Sequence, residues 1–100
     1  MKLVYVSHPF TGNEVENRWD ARNLCADIKS EHKDWCLVNP LDNFYYTQQV
    51  KTTYEEIMAM CMEILQACDA IYLCLGWEKS KGCRAEKKIA EELGMEIIYE

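Results

Sequence analysis

The sequence predicts an α/β fold built on a parallel sheet, and two observations lead to this class. Four short apolar runs alternate with three longer segments in which apolar residues recur every three or four positions. Strands that alternate with helices in this way lie parallel, because each helix carries the chain back across the sheet. The 100 residues include only four Gly and two Pro, too few for a linker, so residues 1–100 are interpreted as one domain.

The first strand and the first helix occupy the first third of the chain. Apolar β-branched and aromatic residues over positions 2–6 predict a buried strand. This strand stops before Pro9, because proline donates no ladder hydrogen bond. Apolar residues at helical spacing then predict an amphipathic helix from Asn13 to about Ser30, with Thr11 or Asn13 placed to cap its start. The apolar face that this helix would bury consists of Val15, Trp19, Ala21, Leu24, Cys25 and Ile28.

The middle of the chain predicts a second buried strand, a long loop and a second helix. Positions 35–38 are short and apolar, and Asn39-Pro40 ends the strand. Residues 41–49 form the loop, whose aromatic side chains fit a pocket lid or a subunit contact equally well. They are Phe44, Tyr45 and Tyr46. Helical spacing then resumes from about Thr52 to Ala67.

The last third predicts a strand, a helix and a final strand. Residues 70–75 are the most strand-like run of the sequence and end at Gly76. The helical spacing over residues 83–93 follows Ser80, which suits an N-cap, and ends at Gly94, which suits a C-cap. Residues 95–99 complete the predicted sheet.

The simplest sheet that these elements build has the strand order 2-1-3-4 with helices on both faces. This is a small Rossmann-like (flavodoxin-like) sandwich of three layers. The winding reverses between strands 1 and 3, and open α/β sheets bind ligands in the crevice outside those carboxyl ends. Residues 7–12 and 76–82 are predicted to line that crevice.

Composition and charge exclude several functions. The net charge is -6 and the eleven Lys and Arg are scattered, so no basic stripe is available for nucleic acid. No apolar stretch approaches the roughly 20 residues that cross a bilayer, and the start is too short for a signal peptide, so a cytoplasmic protein without membrane contact is expected. The six cysteines are interpreted as reduced thiols, and no metal or cofactor site is predicted. A core this small makes a homodimer plausible.

Three residues after the third strand are candidates for a ligand site. Gly82 permits a ligand to approach the backbone, and Ser80 caps the helix, although a cap alone also explains this serine. Glu86 lies early in the helix, where the positive end of the helix dipole favours a carboxylate that points toward the crevice. Such a carboxylate could act as a nucleophile. The alternative is a solvated glutamate beside two lysines.

The stretch from Cys68 to Glu86 carries a specific pattern. An Asp opens a strand, a turn of small residues follows, and Ser80, Gly82 and Glu86 come at spacings of two and four before a helix of small residues. With the start Tyr5-Val6-Ser7-His8-Pro9-Phe10-Thr11-Gly12, this pattern resembles the nucleoside 2-deoxyribosyltransferase superfamily. It is most similar to a bacterial and phage branch of unknown function, which shares the Cys-Asp opening, the Gly-Trp turn and the Ser-x-Gly spacing.

The resemblance implies an activity. In characterised members of the superfamily, the glutamate that matches Glu86 attacks the anomeric carbon of a deoxyribonucleoside and releases the base. The glycosyl-enzyme ester is then resolved by water or a second base. Transferases carry an Asp at the position of Ser80, whereas related nucleoside 5′-monophosphate hydrolases carry a Ser that contacts phosphate. The resemblance therefore implies cleavage of the N-glycosidic bond of a (deoxy)nucleoside 5′-monophosphate.

The sequence departs from the transferase pattern at the general acid. Cys61 stands where the transferases place an Asp that assists the leaving base. His8 either narrows the pocket or supplies the missing proton. The remaining predicted ligand contacts are a floor of Ser7, Pro9 and Phe10, the turn Gly76-Trp77, and Tyr46, whose ring could stack on a base. The loss of the acid favours an alternative function, a non-catalytic module that binds or sequesters a nucleotide. A small oligomeric interaction protein is a third possibility.

Overall fold

The computed structural model describes residues 1–100 and contains one four-stranded, all-parallel sheet in the order β2-β1-β3-β4. The strands are β1 (Lys2–Ser7), β2 (Trp35–Val38), β3 (Ala70–Leu73) and β4 (Glu96–Tyr99). In the register, Val4 lies opposite Leu37 on one side and Ala70 on the other. This sheet confirms the predicted fold class and strand order. It also makes β1 and β3 neighbours, as the predicted crevice requires.

Four α-helices connect the strands: α1 (Glu14–Glu31), α2 (Pro40–Asn43), α3 (Tyr54–Gln66) and α4 (Lys81–Glu92). Short 3₁₀ helices occupy Tyr45–Gln49 and Trp77–Lys79. The segment over residues 41–49, predicted as a loop, is therefore largely helical. Pro40 starts α2 because its fixed φ suits a first helical turn. None of the helices has both the length and the apolar character needed to cross a bilayer.

Two of the three long helices begin with a side-chain cap. At α3, Thr53 accepts a hydrogen bond from the backbone N–H of Glu56, whose carboxylate in turn accepts from the N–H of Thr53. At α4, the Ser80 hydroxyl accepts from the N–H of Cys83 at 3.2 Å, as predicted. The predicted cap of α1 is wrong: Asn13 stands at the N-cap position, but no side-chain hydrogen bond caps this helix.

The main hydrophobic core lies between the sheet and the helices α3 and α4. Its buried members are Tyr5, Cys61, Leu65, Cys68, Ile71, Leu73 and Ala90. Side chains alternate along a strand, so Val4 and Val6 point to the opposite face of the sheet. There α1 contributes the buried residues Ala21 and Ile28. The sheet therefore has a layer of helices on each side.

Two predictions of burial are wrong at the edges of the fold. Strand β2 was predicted to be buried, but it lies at the edge of the sheet and exposes Cys36. Helix α1 was predicted to bury Val15 and Trp19, which are both exposed. At 100° per residue, Trp19 lies roughly 160° around the helix from Ala21, and so it faces away from the sheet. All six cysteines are free thiols, and four of them are buried.

Candidate functional site

A cavity of about 300 Å³, which we name the main cavity because Glu86 lines it, opens at the carboxyl end of β1, beside β3. This volume is at the lower end of the range for small-molecule sites, which is roughly 300–1,000 Å³. Its walls come from the loop after β1, the segment after β2, helices α1 and α3, and the start of α4. The polar groups that line it include His8, Arg18, Ser80 and Glu86. The cavity therefore lies in the crevice that the strand order predicts.

Glu86 is the buried acid of this cavity. Its side chain is only 6 % exposed, and both carboxylate oxygens accept hydrogen bonds from β1. The Tyr5 hydroxyl donates to Oε2, and the Ser7 hydroxyl donates to Oε1 at 2.7 Å. These contacts turn the carboxylate toward the sheet and the cavity, away from bulk solvent, so the structure removes the alternative of a solvated glutamate.

The pKa of the Glu86 carboxyl reflects two opposing effects. Burial raises this pKa, because removal from water disfavours the charged form. The hydrogen bonds from Tyr5 and Ser7 act in the other direction, because they stabilise the ionised carboxylate. Burial, with the nearby charge of Glu86, also raises the pKa of the Tyr5 hydroxyl well above its usual range. Tyr5 therefore keeps its proton and acts as a donor.

The start of α4 borders a second, adjoining cavity of about 580 Å³. Ser80 and Gly82 line both cavities, and Pro9 and Gly76 line only the second. Gly76 has a φ of 91°, which favours glycine, and an added Cβ would lie 3.5 Å from the Pro9 ring. Seven of the ten predicted site residues thus line one continuous crevice: His8, Pro9, Phe10, Gly76, Ser80, Gly82 and Glu86.

His8 lines the main cavity, and its ring is held by a hydrogen bond within its own loop. Its Nδ1 lies 2.7 Å from the carbonyl oxygen of Pro9. A carbonyl oxygen only accepts, so Nδ1 is the donor of this hydrogen bond. The role of His8 as a source of the missing proton stays a prediction. Ser7 does not line the cavity, because it lies beneath Glu86 and is fully buried.

Trp77 and Tyr46 lie outside both cavities. The Trp77 ring packs 6.0 Å from the ring of Tyr99, with the Lys87 ammonium 5.4 Å from its centre. Tyr46 is exposed, and its neighbour Tyr45 lines the cavity in its place. The two tyrosines diverge because successive residues of a 3₁₀ helix are about 120° apart.

Comparison with known proteins places the chain in a family. Residues 2–99 match the family described as "Domain of unknown function (DUF4406)". The chain belongs to this DUF4406 family. No curated protein gives a significant match. Among solved structures, the chain is similar to a 2-desoxiribosyltransferase from Leishmania mexicana, at 25% sequence identity and a TM-score of 0.71. The alignment covers 99% of this chain and 63% of that one. This similarity agrees with the resemblance to the deoxyribosyltransferase superfamily, while the bacterial and phage branch stays a prediction.

Three residues of this candidate site were not predicted from the sequence. Tyr5 was predicted only as part of the buried first strand, but its hydroxyl donates a hydrogen bond to Glu86. Tyr54 follows the N-cap of α3, and Arg18 lies on α1. A signal for Arg18 exists in the sequence: it continues the stripe of Ala21, Cys25 and Ile28 at spacings of three and four, so a charged residue stands on the inner face of the helix.

Proposed function

We propose that this chain is a nucleotide-processing enzyme that cleaves the N-glycosidic bond of a (deoxy)nucleoside, bound as its 5′-monophosphate, with Glu86 as the nucleophile. The observation that carries the proposal is the buried Glu86 carboxylate, held by two hydroxyl donors at the wall of a ligand-sized cavity. The similarity to a 2-desoxiribosyltransferase supports the same chemistry.

The Glu86 carboxylate suits nucleophilic attack on a sugar. One oxygen bonds to the anomeric carbon while the bond from that carbon to the base nitrogen breaks, and the electron pair leaves with the base. Tyr5 and Ser7 fix the plane of the carboxylate, so little reorientation is needed before attack. Water then attacks the ester, and the carboxylate is restored.

The start of α4 suits the 5′-phosphate. The first backbone N–H groups of a helix have no partner within the helix, and the helix dipole favours an anion there. Lys79 and Lys81 line the adjoining cavity at this point, so the local charge is positive although the chain is acidic overall. Gly82 leaves space for a phosphate to reach the backbone.

Release of free base tests the proposal. Purified protein is incubated with the common ribonucleoside and deoxyribonucleoside 5′-monophosphates, and free base is quantified by liquid chromatography. We expect release from at least one nucleotide, with a loss of at least roughly 10³-fold in Glu86→Gln, because the nucleophile is removed. Glu92→Gln is the matched control, since Glu92 is exposed on the same helix. No release, or equal release by Glu86→Gln, would rule the proposal out.

One observation favours the non-catalytic alternative. Cys61 lines the cavity from α3, and burial raises the pKa of its thiol to about 11, so it is a poor acid near neutrality. Glu63, the nearest acid on α3, is exposed and does not line the cavity. In a binding module, a nucleotide at 100 times its dissociation constant would stabilise the fold by about 2.7 kcal/mol in a thermal-shift assay, without base release.

A further inference from the structure

Arg18 is the one permanently charged side chain among the residues that line the main cavity, and the cleavage described above gives it no task. Its guanidinium carbon lies 4.4 Å from the centre of the Tyr45 ring and 5.3 Å from that of the Phe10 ring. Two aromatic contacts restrict the position of a planar guanidinium and leave its N–H groups free to donate. Arg18 is therefore a positioned hydrogen-bond donor in the cavity wall.

The surroundings of Arg18 differ from those of Arg22, which lies one turn further along α1. Arg22 donates from Nε to both carboxylate oxygens of Asp42, each at 2.9 Å. Arg18 forms no ion pair, and no protein group accepts a hydrogen bond from its buried Nε–H. A buried donor without an acceptor costs free energy, which a ligand with a suitable oxygen would recover.

The topology places Arg18 and the start of α4 on opposite sides of Glu86. Strand β1 lies between β2 and β3, and Glu86 is anchored on β1 through Tyr5 and Ser7. Tyr45, which contacts Arg18, follows β2, whereas the start of α4 follows β3. A nucleotide with its anomeric carbon at Glu86 and its phosphate at α4 therefore directs its base toward Arg18.

We propose that Arg18 stabilises the departing base and thereby selects bases that carry an oxo group. The inference rests on the proposed glycosidic cleavage. When the bond from the anomeric carbon to the base nitrogen breaks, its electron pair stays on the base, and the negative charge spreads onto the oxo oxygen. The Arg18 guanidinium donates hydrogen bonds to that oxygen. The base anion then takes a proton from water, and the resulting hydroxide hydrolyses the ester to Glu86 carboxylate and free sugar.

This role has two consequences, one for the missing general acid and one for the choice of base. A guanidinium stabilises the leaving base without transferring a proton, so no carboxylic acid is required at position 61. An amino group on the base donates hydrogen bonds and does not accept them from Arg18, so the site discriminates between an oxo and an amino substituent at one ring position. The substrate class is thus narrowed to nucleotides of oxo bases.

The test compares two substrates that differ in this one substituent, the 5′-monophosphates of 2′-deoxyinosine and 2′-deoxyadenosine. Their kcat and KM are measured for the wild-type protein, Arg18→Gln, Arg18→Lys and the control Arg22→Gln. We expect the wild type to prefer the oxo substrate by about tenfold or more in kcat/KM. Arg18→Gln should lower kcat for this substrate by about 10- to 100-fold and change the amino substrate little. Arg18→Lys should retain part of the rate because it keeps the charge, and Arg22→Gln should behave as wild type.

The outcomes separate this inference from the proposed function. Equal losses on both substrates, or wild-type rates in Arg18→Gln, overturn the role of Arg18 while Glu86-dependent base release still stands. If the wild type releases no base, the cleavage fails, and calorimetric titration with free hypoxanthine and adenine decides the recognition of the base. Tighter binding of hypoxanthine that Arg18→Gln abolishes supports that recognition, and equal or absent binding overturns it. Thermal unfolding of each variant shows whether the fold is intact.

Discussion

At the scale of single residues, Glu86 combines burial with a proposed function that requires charge. Its side chain is almost inaccessible to water, and the donors Tyr5 and Ser7 only partly offset the cost of ionisation, because the pKa of the carboxyl remains raised. In the proposed attack on a substrate, few water molecules would have to leave this carboxylate first. The same arrangement stabilises the fold less when Glu86 is ionised, and this effect is measurable without any substrate.

We predict that Glu86→Gln stabilises the protein near neutral pH. Since the pKa of Glu86 is higher in the folded than in the unfolded state, its contribution to stability is fully present below the unfolded pKa and is lost as the pH rises through the folded pKa. A neutral Gln avoids this loss. We expect a gain of about 0.5–2 kcal/mol in the free energy of unfolding at pH 8, shrinking toward pH 4.

Urea unfolding of both proteins across pH 4–8 measures the difference. Glu92→Gln, on the exposed face of the same helix, should show no such dependence. A gain that stays constant with pH, or a destabilised Glu86→Gln at pH 8, would contradict the account of the buried carboxylate.

At the scale of elements, helices α3 and α4 both begin with hydroxyl caps, but only one of these caps lies in the crevice. Thr53 caps α3 and lines neither of the two cavities at the crevice, whereas Ser80 caps α4 and lines both of them. Both caps accept the same kind of hydrogen bond, from the backbone N–H three residues further on. They form a natural pair for separating the stability of a helix from ligand binding.

We predict that Ser80→Ala and Thr53→Ala each lower the free energy of unfolding by about 1 kcal/mol, because each removes one cap. Only Ser80→Ala should weaken nucleotide binding, by about tenfold, since the proposed phosphate position loses its hydroxyl. Chemical unfolding measures the first effect, and calorimetric titration with the preferred nucleotide measures the second. Equal affinities in the two variants would show that Ser80 is a cap and nothing more.

At the scale of the whole molecule, the small core and the exposed apolar surface favour self-association. Helix α1 exposes Val15 and Trp19, although an amphipathic helix normally buries its apolar residues, and the 3₁₀ helix Tyr45–Gln49 exposes Tyr45 and Tyr46. Val15, Trp19 and Tyr45 line one shallow groove together with Arg18. A second subunit on this surface would lie next to the wall of the main cavity, since Arg18 and Tyr45 belong to both.

We predict a homodimer of the 11.8 kDa chain that associates through this surface. Sedimentation velocity at micromolar concentrations should give twice the monomer mass, and Trp19→Asp should shift the protein toward monomer, because a charge replaces an apolar contact. Leu75→Asp provides the control, since Leu75 is an exposed apolar residue outside the groove. A monomeric wild-type protein would refute the prediction.

The sequence was sufficient for the architecture and for part of the site. The alternation of strand-like and helical segments determined the strand order 2-1-3-4, since parallel connections of one handedness leave few alternatives. That order also placed the start of α4, with its Ser80 cap, at the crevice, whereas the sequence left open whether Glu86 faces the crevice or the solvent. These properties follow from local periodicity and from topology, which a single sequence displays directly.

Which distant side chains come into contact depends on the tertiary packing, and the sequence did not show it. The hydroxyls of Tyr5 and Ser7 bind a carboxylate 81 and 79 positions away, and Arg18 lies against two rings from separate segments. The same packing moved Trp77 out of the crevice and placed Tyr45 in it ahead of Tyr46. Such contacts depend on strand register, helix rotation and side-chain rotamers, and small errors in any of these exchange one neighbour for another. The spacing of residues in the sequence specifies neither the register, the helix rotation nor the rotamers, because it describes each segment of the chain separately.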